Sequence, residues 1–119
     1  MKKILSVDDS MVVRKMVKIS LAEQYELHEA KDGAEGFELA KQHQFDLVIT
    51  DINMPVMDGI EMIGHLRQMP NYQKTPILCI TTESSAATKE RGKAVGANGW
   101  IVKPFTPETL RNIVLRFTA

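Results

Sequence analysis

Short apolar runs alternate with longer amphipathic segments along the whole chain. Four of these runs are nearly continuous in hydrophobic character: ILSV at residues 4–7, FDLVIT at 45–50, PILCIT at 76–81 and WIV at 100–102. Such runs are typical of strands in a parallel sheet that is covered on both faces. A fifth run, YELHEA at residues 25–30, alternates apolar and polar side chains, so we expect an edge strand there.

The segments between the runs carry apolar residues at the spacing of a helix. Ser10 is suited to cap the first helix, and Thr106 followed by Pro107 is suited to begin the last one. Three more helices are predicted over residues 33–43, 59–68 and 84–95. The residues predicted to face the core are Val13, Met16, Val17, Ser20 and Leu21 in the first helix, Phe37 and Ala40 in the second, Ile60, Ile63 and Leu66 in the third, Ala87, Ala94 and Val95 in the fourth, and Leu110, Ile113, Val114 and Phe117 in the last.

The fourth helical segment, SSAATKERGKAV at residues 84–95, is weaker than the others. Its residues are small or charged, and Gly92 interrupts it, where glycine costs about 1 kcal/mol relative to alanine. We therefore expect this helix to pack least firmly and to be the element that moves.

Strands and helices thus alternate through five βα units. Short connections between them imply a parallel sheet with right-handed crossovers and with helices on both faces. In such α/β folds the functional site lies beyond the carboxyl ends of the strands.

Composition narrows the class of protein. The chain has 119 residues, enough for one domain, and 15 basic residues balance 15 acidic ones. A net charge of zero gives no electrostatic case for binding nucleic acid or an anionic membrane. Cys79, the one cysteine, is predicted to be a core residue. The first apolar run is too short for a signal peptide or a membrane span. We therefore expect a cytoplasmic location.

Four of the five predicted strands end at residues that carry chemistry. Each residue alone has an ordinary explanation, such as a helix cap or a solvated lysine, but their coincidence at one edge of the sheet does not. These residues are Asp8 and Asp9 after the first strand, Asp51 after the third, Thr81 and Thr82 at the fourth, and Lys103 with Pro104 after the fifth.

The charges at this edge indicate a cation. Two carboxylates about 4 Å apart repel by roughly 4 kcal/mol at an effective dielectric constant near 20. A hard cation with oxygen ligands, Mg²⁺ or Mn²⁺, fits better than zinc, because His28, His43 and His65 are dispersed. A carboxylate nucleophile with a metal, a lysine and a hydroxyl makes a phosphoryl-transfer site, in which Asp51 becomes an acyl phosphate.

Together, Asp8-Asp9, the stretch DINMPVMDG, Thr81 and the pair Lys103-Pro104 resemble the CheY-like receiver domain of two-component response regulators. The resemblance covers essentially the whole chain. It implies one receiver domain over residues 1–119, with a flavodoxin-like, doubly wound (βα)5 fold and a parallel sheet of strand order 2-1-3-4-5.

The resemblance also implies a role for each site residue. Asp51 is the expected phosphoacceptor, and Mg²⁺ is expected on Asp9, on Asp51 and on the backbone carbonyl of Asn53, with Asp8 acting through a bound water. Thr81 would move toward the phosphoryl group and Lys103 would pair with it.

Other positions implied by the resemblance lie around this centre. The peptide bond between Lys103 and Pro104 is expected to be cis, and Pro55 and Gly59 fit the turn after the acceptor. The residues expected to tune the lifetime of the phosphoryl group or to act in the switch are Asn53, Thr82, Glu83 and Trp100. Two of these positions depart from the family pattern, because Trp100 replaces a Tyr or Phe and Thr82 replaces a small residue.

The resemblance implies a phosphorylation-dependent switch that catalyses its own Mg²⁺-dependent phosphorylation and dephosphorylation. A histidine kinase of the CheA-like class would be the donor, and a protein target in chemotaxis or motility would bind through residues 84–117, with the switch itself a monomer.

Three alternatives stay open. The chain could be the N-terminal receiver of a hybrid kinase or of a transcriptional regulator. It could be a metal-dependent phosphatase with an aspartyl-phosphate, although Asn53 stands where a second acid is expected. It could be a flavin or nucleotide carrier, although the first strand–helix turn has no glycine-rich cradle.

Overall fold

The computed structural model describes residues 1–82 and 85–119. Its strands are β1 (Lys3–Val7), β2 (Glu26–Ala30), β3 (Leu47–Thr50), β4 (Ile77–Thr81) and β5 (Gly99–Val102). Its helices are α1 (Met11–Leu21), α2 (Gly33–Gln42), α3 (Gly59–Gln68), α4 (Ala86–Val95) and α5 (Pro107–Thr118), with a 3-10 turn at Pro70–Tyr72. The strands form one parallel sheet in the order β2-β1-β3-β4-β5, which confirms the predicted fold.

Strand alternation divides the core into two layers, because successive side chains point to opposite faces of the sheet. On one face, Leu5 and Val48 pack with residues of α2 and α3. On the other face, Ile4 and Leu47 pack with residues of α1 and α5. Both faces of the central strands are therefore shielded from solvent, as their continuous apolar runs predict.

Strand β5 differs from that prediction. Its position at the second edge of the sheet agrees with the predicted strand order, but it is less covered than a strand buried on both faces. Val102, at its end, is 45% exposed, whereas Ile101 is buried. An apolar run of three residues is too short to distinguish an edge strand from a central one.

The predicted caps are present. The Ser10 side chain accepts a hydrogen bond from the Val13 N–H at 3.3 Å, and the Thr106 side chain accepts one from the Thr109 N–H at 3.1 Å. Pro107 follows as the first residue of α5, where its missing N–H costs nothing. These caps fix where α1 leaves the sheet edge and where α5 begins.

The prediction that Phe117, at the end of α5, faces the core is wrong. Phe117 is 37% exposed, and the buried residue at this end of the helix is Thr118. The Thr118 hydroxyl donates to the Val114 carbonyl at 2.9 Å and lies 3.0 Å from the Tyr25 hydroxyl. A polar residue can take a core position when its hydroxyl finds such partners.

The core-facing residues of α4 were also predicted wrongly. Ala87 and Ala94 are exposed, Val95 is half-buried, and the buried residue of the helix is Gly92. Each of the other helices buries three or more residues. The small buried surface of α4 supports the expectation of weak packing, and its mobility stays a prediction.

Arg67 of α3 holds the far end of α4. Its guanidinium donates to the Gly96 carbonyl at 2.7 Å and to the Asn98 side-chain oxygen at 2.8 Å. It also donates to the carbonyls of Tyr72 and Thr75, at 2.6 and 2.7 Å. One arginine thus joins the end of α3 to the α4–β5 loop.

Across residues 1–82 and 85–119, none of the helices has the length and apolar character needed to cross a bilayer.

Candidate functional site

Three carboxylates meet beyond the carboxyl ends of β1 and β3. These strands are neighbours, with Val7 opposite Thr50, so the residues that follow them must lie close together. One oxygen from each of Asp8, Asp9 and Asp51 lies within 4.8 Å of the other two. Asp8 and Asp51 are buried, whereas Asp9 is exposed. The cluster thus has two buried carboxylates and one that is open to solvent.

Lys103 comes to this cluster from the end of β5. Its Nζ lies 3.0 Å from Asp8 Oδ2 and 3.0 Å from Asp51 Oδ2. Its backbone N–H donates to the Thr81 carbonyl at 3.0 Å, which fixes the β5 end beside β4. The peptide bond between Lys103 and Pro104 is cis. The lysine is therefore aimed across the strand ends, as an ion-pair partner of two carboxylates.

Every polar atom of Asp8 has a partner. Its N–H donates to the Ala30 carbonyl at 3.0 Å, and its own carbonyl accepts from Arg14 at 2.5 Å. Its carboxylate accepts from the Ser10 N–H at 2.9 Å and pairs with Lys103. These bonds leave Asp8 little freedom, so it is a fixed charge in the floor of the site.

The electrostatics of the cluster favour a cation. Burial raises the pKa of Asp8, even though the Ser10 N–H and Lys103 act to lower it. Burial lowers the pKa of Lys103, but the hydrogen bonds to Asp51 and Asp8 outweigh it, so the pKa of this lysine is raised. One ammonium thus faces three carboxylates, and the excess negative charge would be neutralised by a hard divalent ion with oxygen ligands.

Asp51 is held by the loop that follows it. Its Oδ1 accepts from the Ile52 N–H at 2.7 Å, and its carbonyl accepts from the Thr50 hydroxyl at 2.8 Å. Gly59, at the start of α3, donates to the Ile52 carbonyl at 2.8 Å. A Cβ at residue 59 would lie 2.0 Å from the Asp51 carbonyl oxygen, so glycine is required for this close approach.

The strained residue of this loop is Val56 rather than a glycine. Its φ is 69°, in the left-handed region that β-branched residues avoid. The Met57 N–H donates to the Pro55 carbonyl at 2.7 Å, so these residues form a γ-turn centred on Val56. Val56 is 83% exposed and has no packing that offsets this strain.

The predicted residues around the carboxylate cluster differ in their exposure to solvent. Thr81 is buried at the end of β4, and Thr82 follows it on the surface. Asn53 is exposed, two residues after Asp51. The prediction for Glu83 falls outside the described residues, as does the predicted helix start at Ser84.

Trp100 lies on β5 opposite Cys79, away from the carboxylates. Its indole packs against Gly92 of α4, and its Nε1 is buried with no hydrogen-bond partner in the described part of the chain. A cavity of about 240 Å³ beside it is lined by Lys89 and Lys93, among others. Trp100 is thus half-buried between strand β5 and helix α4, with its Nε1 shielded from water.

Arg14 was not predicted as a site residue, yet its side chain donates a hydrogen bond from α1 into the acidic loop. A signal for it exists. Arg14 lies four residues after the Ser10 cap, which is one helical turn, so it faces back toward the loop.

Comparisons with known proteins agree with this geometry. The family model for the response regulator receiver domain matches residues 4–115. The transcriptional regulatory protein SrrA of Staphylococcus aureus is 38% identical over 98% of this chain. That match covers 46% of SrrA, so the chain spans about half the length of this curated relative.

Two solved structures are similar over nearly their whole length. The chemotaxis protein CheY4 of Vibrio cholerae is 48% identical over 98% of both chains, with a TM-score of 0.95. The receiver domain of the Pseudomonas aeruginosa sensor histidine kinase PA1611 is 25% identical over 98% of this chain and 97% of that one, with a TM-score of 0.91. The PA1611 structure has a magnesium ion coordinated in its active-site cleft.

Fold, site geometry and these comparisons agree, and they favour a receiver over the phosphatase and the nucleotide carrier. Receivers act with histidine kinases and downstream effectors. The chain belongs to the response regulator receiver domain family of two-component signalling.

Proposed function

We propose that this protein is a signalling switch that accepts a phosphoryl group on Asp51 from a histidine kinase. The observation that carries the proposal is the joint position of Asp8, Asp9, Asp51 and Lys103, because a carboxylate nucleophile needs neighbouring charges that stabilise the transferred group. The whole of residues 1–119 acts as one receiver domain, as a monomer in the cytoplasm.

In the reaction, a carboxylate oxygen of Asp51 forms a bond to phosphorus. The bond from phosphorus to the donor's imidazole nitrogen, or to the acyl oxygen of a small acyl phosphate, breaks at the same centre. The leaving group keeps the electron pair and takes a proton from solvent where it needs one. Lys103, 3.0 Å from Asp51 Oδ2, then pairs with a phosphoryl oxygen of the product.

Mg²⁺ fits the donor set and would be held by Asp9, Asp51 and the Asn53 carbonyl, with Asp8 acting through a water. When bound, it supplies positive charge to the phosphoryl oxygens. Mn²⁺ offers the same oxygen coordination. The PA1611 receiver, with magnesium in its cleft, supports this assignment.

The switch proper begins at Thr81. Its hydroxyl turns toward the phosphoryl group, and Trp100 responds in the space between β5 and α4. The surface formed by residues 84–117 then changes its affinity for a protein target. Asn53, Thr82 and Glu83 set how long the phosphoryl group lasts, by controlling access to Asp51.

Intact-mass measurement after incubation with Mg²⁺ and a small acyl phosphate tests the acceptor. One phosphoryl adduct is expected, absent with a chelator and absent in Asp51→Asn. Asp46→Asn is the matched control, because Asp46 is an exposed aspartate at the other end of β3. An adduct that persists in Asp51→Asn, or its absence from the native protein under these conditions, would contradict the proposal.

For the pathway we propose chemotaxis or motility, with a CheA-like kinase as donor. Similarity to CheY4 over 98% of both chains supports this choice. Expression in a motile bacterium that lacks its own chemotaxis receiver should restore motor reversal, and Asp51→Asn should not. Phosphorylation of Asp51 without any effect on the motor would instead favour a role within a transcriptional regulator, the class of SrrA.

A further inference from the structure

Arg14 contacts the backbone of the acidic loop. The guanidinium donates to the Asp8 backbone carbonyl at 2.5 Å rather than to a carboxylate. Asp8 and Asp9 share the peptide group to which that carbonyl belongs. A bond to this carbonyl therefore fixes the orientation of the peptide that joins two of the three clustered acids.

The charge of Arg14 is not neutralised locally. Among residues 1–82 and 85–119, no carboxylate lies within ion-pair distance of it. Helix α1 carries Arg14, Lys15 and Lys18 but no acidic residue. Arg14 is half-buried, so its contact with the Asp8 carbonyl is partly shielded from water.

We propose that Arg14 is a positioning residue, which holds the Asp8–Asp9 peptide so that the Asp9 carboxylate faces the metal position. Asp8 is fixed by its own side-chain bonds to Ser10 and Lys103. Asp9 is exposed and makes no side-chain hydrogen bond within the described ranges, so its aim depends on the backbone that Arg14 holds. The inference rests on the proposed Mg²⁺ site.

Two physical effects of Arg14 on Mg²⁺ binding oppose each other, which makes the inference testable. Its positive charge beside the acidic loop repels a cation, so loss of charge alone would strengthen Mg²⁺ binding. Its hydrogen bond orients a ligand-bearing peptide, so loss of the bond would weaken binding. Positioning predicts that the second effect is larger.

The test is Mg²⁺ affinity by calorimetric titration of the full chain, without any phosphodonor. Arg14→Met is expected to bind roughly tenfold more weakly, the lower end of the effect of removing an outer-shell partner. Arg14→Lys, which keeps a donor and the charge, should recover part of the loss. The matched control is Lys15→Met, because Lys15 is exposed and its removal deletes the same charge without this hydrogen bond.

The outcomes distinguish the role of Arg14 from the proposed metal site. Equal or tighter Mg²⁺ binding by Arg14→Met, with the native protein binding normally, overturns the role of Arg14 and leaves the proposed function intact. No Mg²⁺ binding by the native protein overturns the proposed metal site itself. Should Arg14→Met fail to fold, Arg14→Gln serves instead. The glutamine side chain is too short to reach the Asp8 carbonyl, so Arg14→Gln is also expected to bind Mg²⁺ roughly tenfold more weakly, and equal or tighter binding would overturn the role of Arg14.

Discussion

Gly92 lies so close beneath the indole of Trp100 that a Cβ at residue 92 would come within 2.9 Å of Trp100 Cζ3. Gly92, expected from the sequence to weaken α4, is therefore the residue that leaves room for the tryptophan at residue 100. The indole is half-buried, and its Nε1 is shielded from water with no hydrogen-bond partner among the described residues; desolvation of such a group costs about 1–3 kcal/mol. Helix α4 and Trp100 thus pack closely together, although α4 contains a glycine and the indole has a buried Nε1 without a partner among the described residues.

Gly92→Ala is expected to displace the indole. The added methyl group has no space beneath the ring, so Trp100 moves outward and its Nε1 reaches water. Because Trp100 is the one tryptophan, its emission should shift to longer wavelength and be quenched more strongly by acrylamide. Gly64→Ala is the control, since a Cβ at residue 64 meets nothing within 4 Å. Unchanged emission in Gly92→Ala would show that the ring has another way to accommodate the methyl group.

Val56→Asn is expected to stabilise the protein by about 1 kcal/mol, because asparagine tolerates positive φ far better than valine. The exposed side chain of Val56 loses no packing in this change. Urea unfolding gives the difference in free energy. Val12→Asn, at an exposed position in α1, should bring no such gain, and equal effects at both sites would argue against strain at Val56.

Lys103→Met is expected to destabilise the metal-free protein by about 2 kcal/mol. Two carboxylates, those of Asp8 and Asp51, would lose their shared cation inside the site. The figure lies below that for a fully buried pair because the Lys103 side chain is 14% exposed. Lys41→Met is the control, since the Lys41–Glu38 pair is exposed and contributes little.

The pH dependence of this variant follows from the sign of the Asp8 shift. A carboxyl group whose pKa in the folded state is raised by burial costs stability as pH rises through the interval above its unfolded value of 3.8. Loss of Lys103 enlarges that shift. Unfolding with a chelator present should therefore show the deficit of Lys103→Met shrinking from neutral pH to about pH 5, and a deficit independent of pH would contradict this account.

Cys79 is expected to make stability fall in alkali. Burial, assisted by the charge of Asp51, raises the pKa of its thiol from 9.0 to about 12. Between these values the unfolded chain releases a proton that the folded chain retains, so folding weakens by up to about 1.4 kcal/mol per pH unit. Comparing alkaline unfolding of the native protein with Cys79→Ala isolates this contribution. Parallel slopes for the two proteins would remove Cys79 as the cause.

The parts of the molecule that the sequence predicts well depend on local rules. Thr106 and Pro107 suit the start of a helix when a helical apolar pattern follows them, and β-branched runs favour strands. Parallel topology then brings Asp8, Asp51 and Lys103 to one edge, because all strands end on the same side. The cluster could therefore be predicted without any knowledge of distances.

The missed features depend on contacts between distant parts of the chain. Gly92 is buried because Trp100 fills the space that a side chain would need, and Thr118 replaces Phe117 in the core because Tyr25 offers its hydroxyl. Val56 adopts a φ that its own residue type disfavours, since the loop on either side is held. Helical periodicity and turn propensity contain none of this information.

The contacts of Arg67 tether the end of α4 that leads into β5. Its bonds hold Gly96 and Asn98, just past the last turn, whereas the first turn follows closely after Thr81. If phosphorylation moves α4, we expect this helix of 10 residues to pivot about its tethered end. At about 15 Å in length, a tilt of about 10° would carry its first turn through roughly 3 Å while its last turn hardly moves. Under the proposed function, a protein target that binds α4 would therefore distinguish the phosphorylated state best by contacting the first turn of that helix.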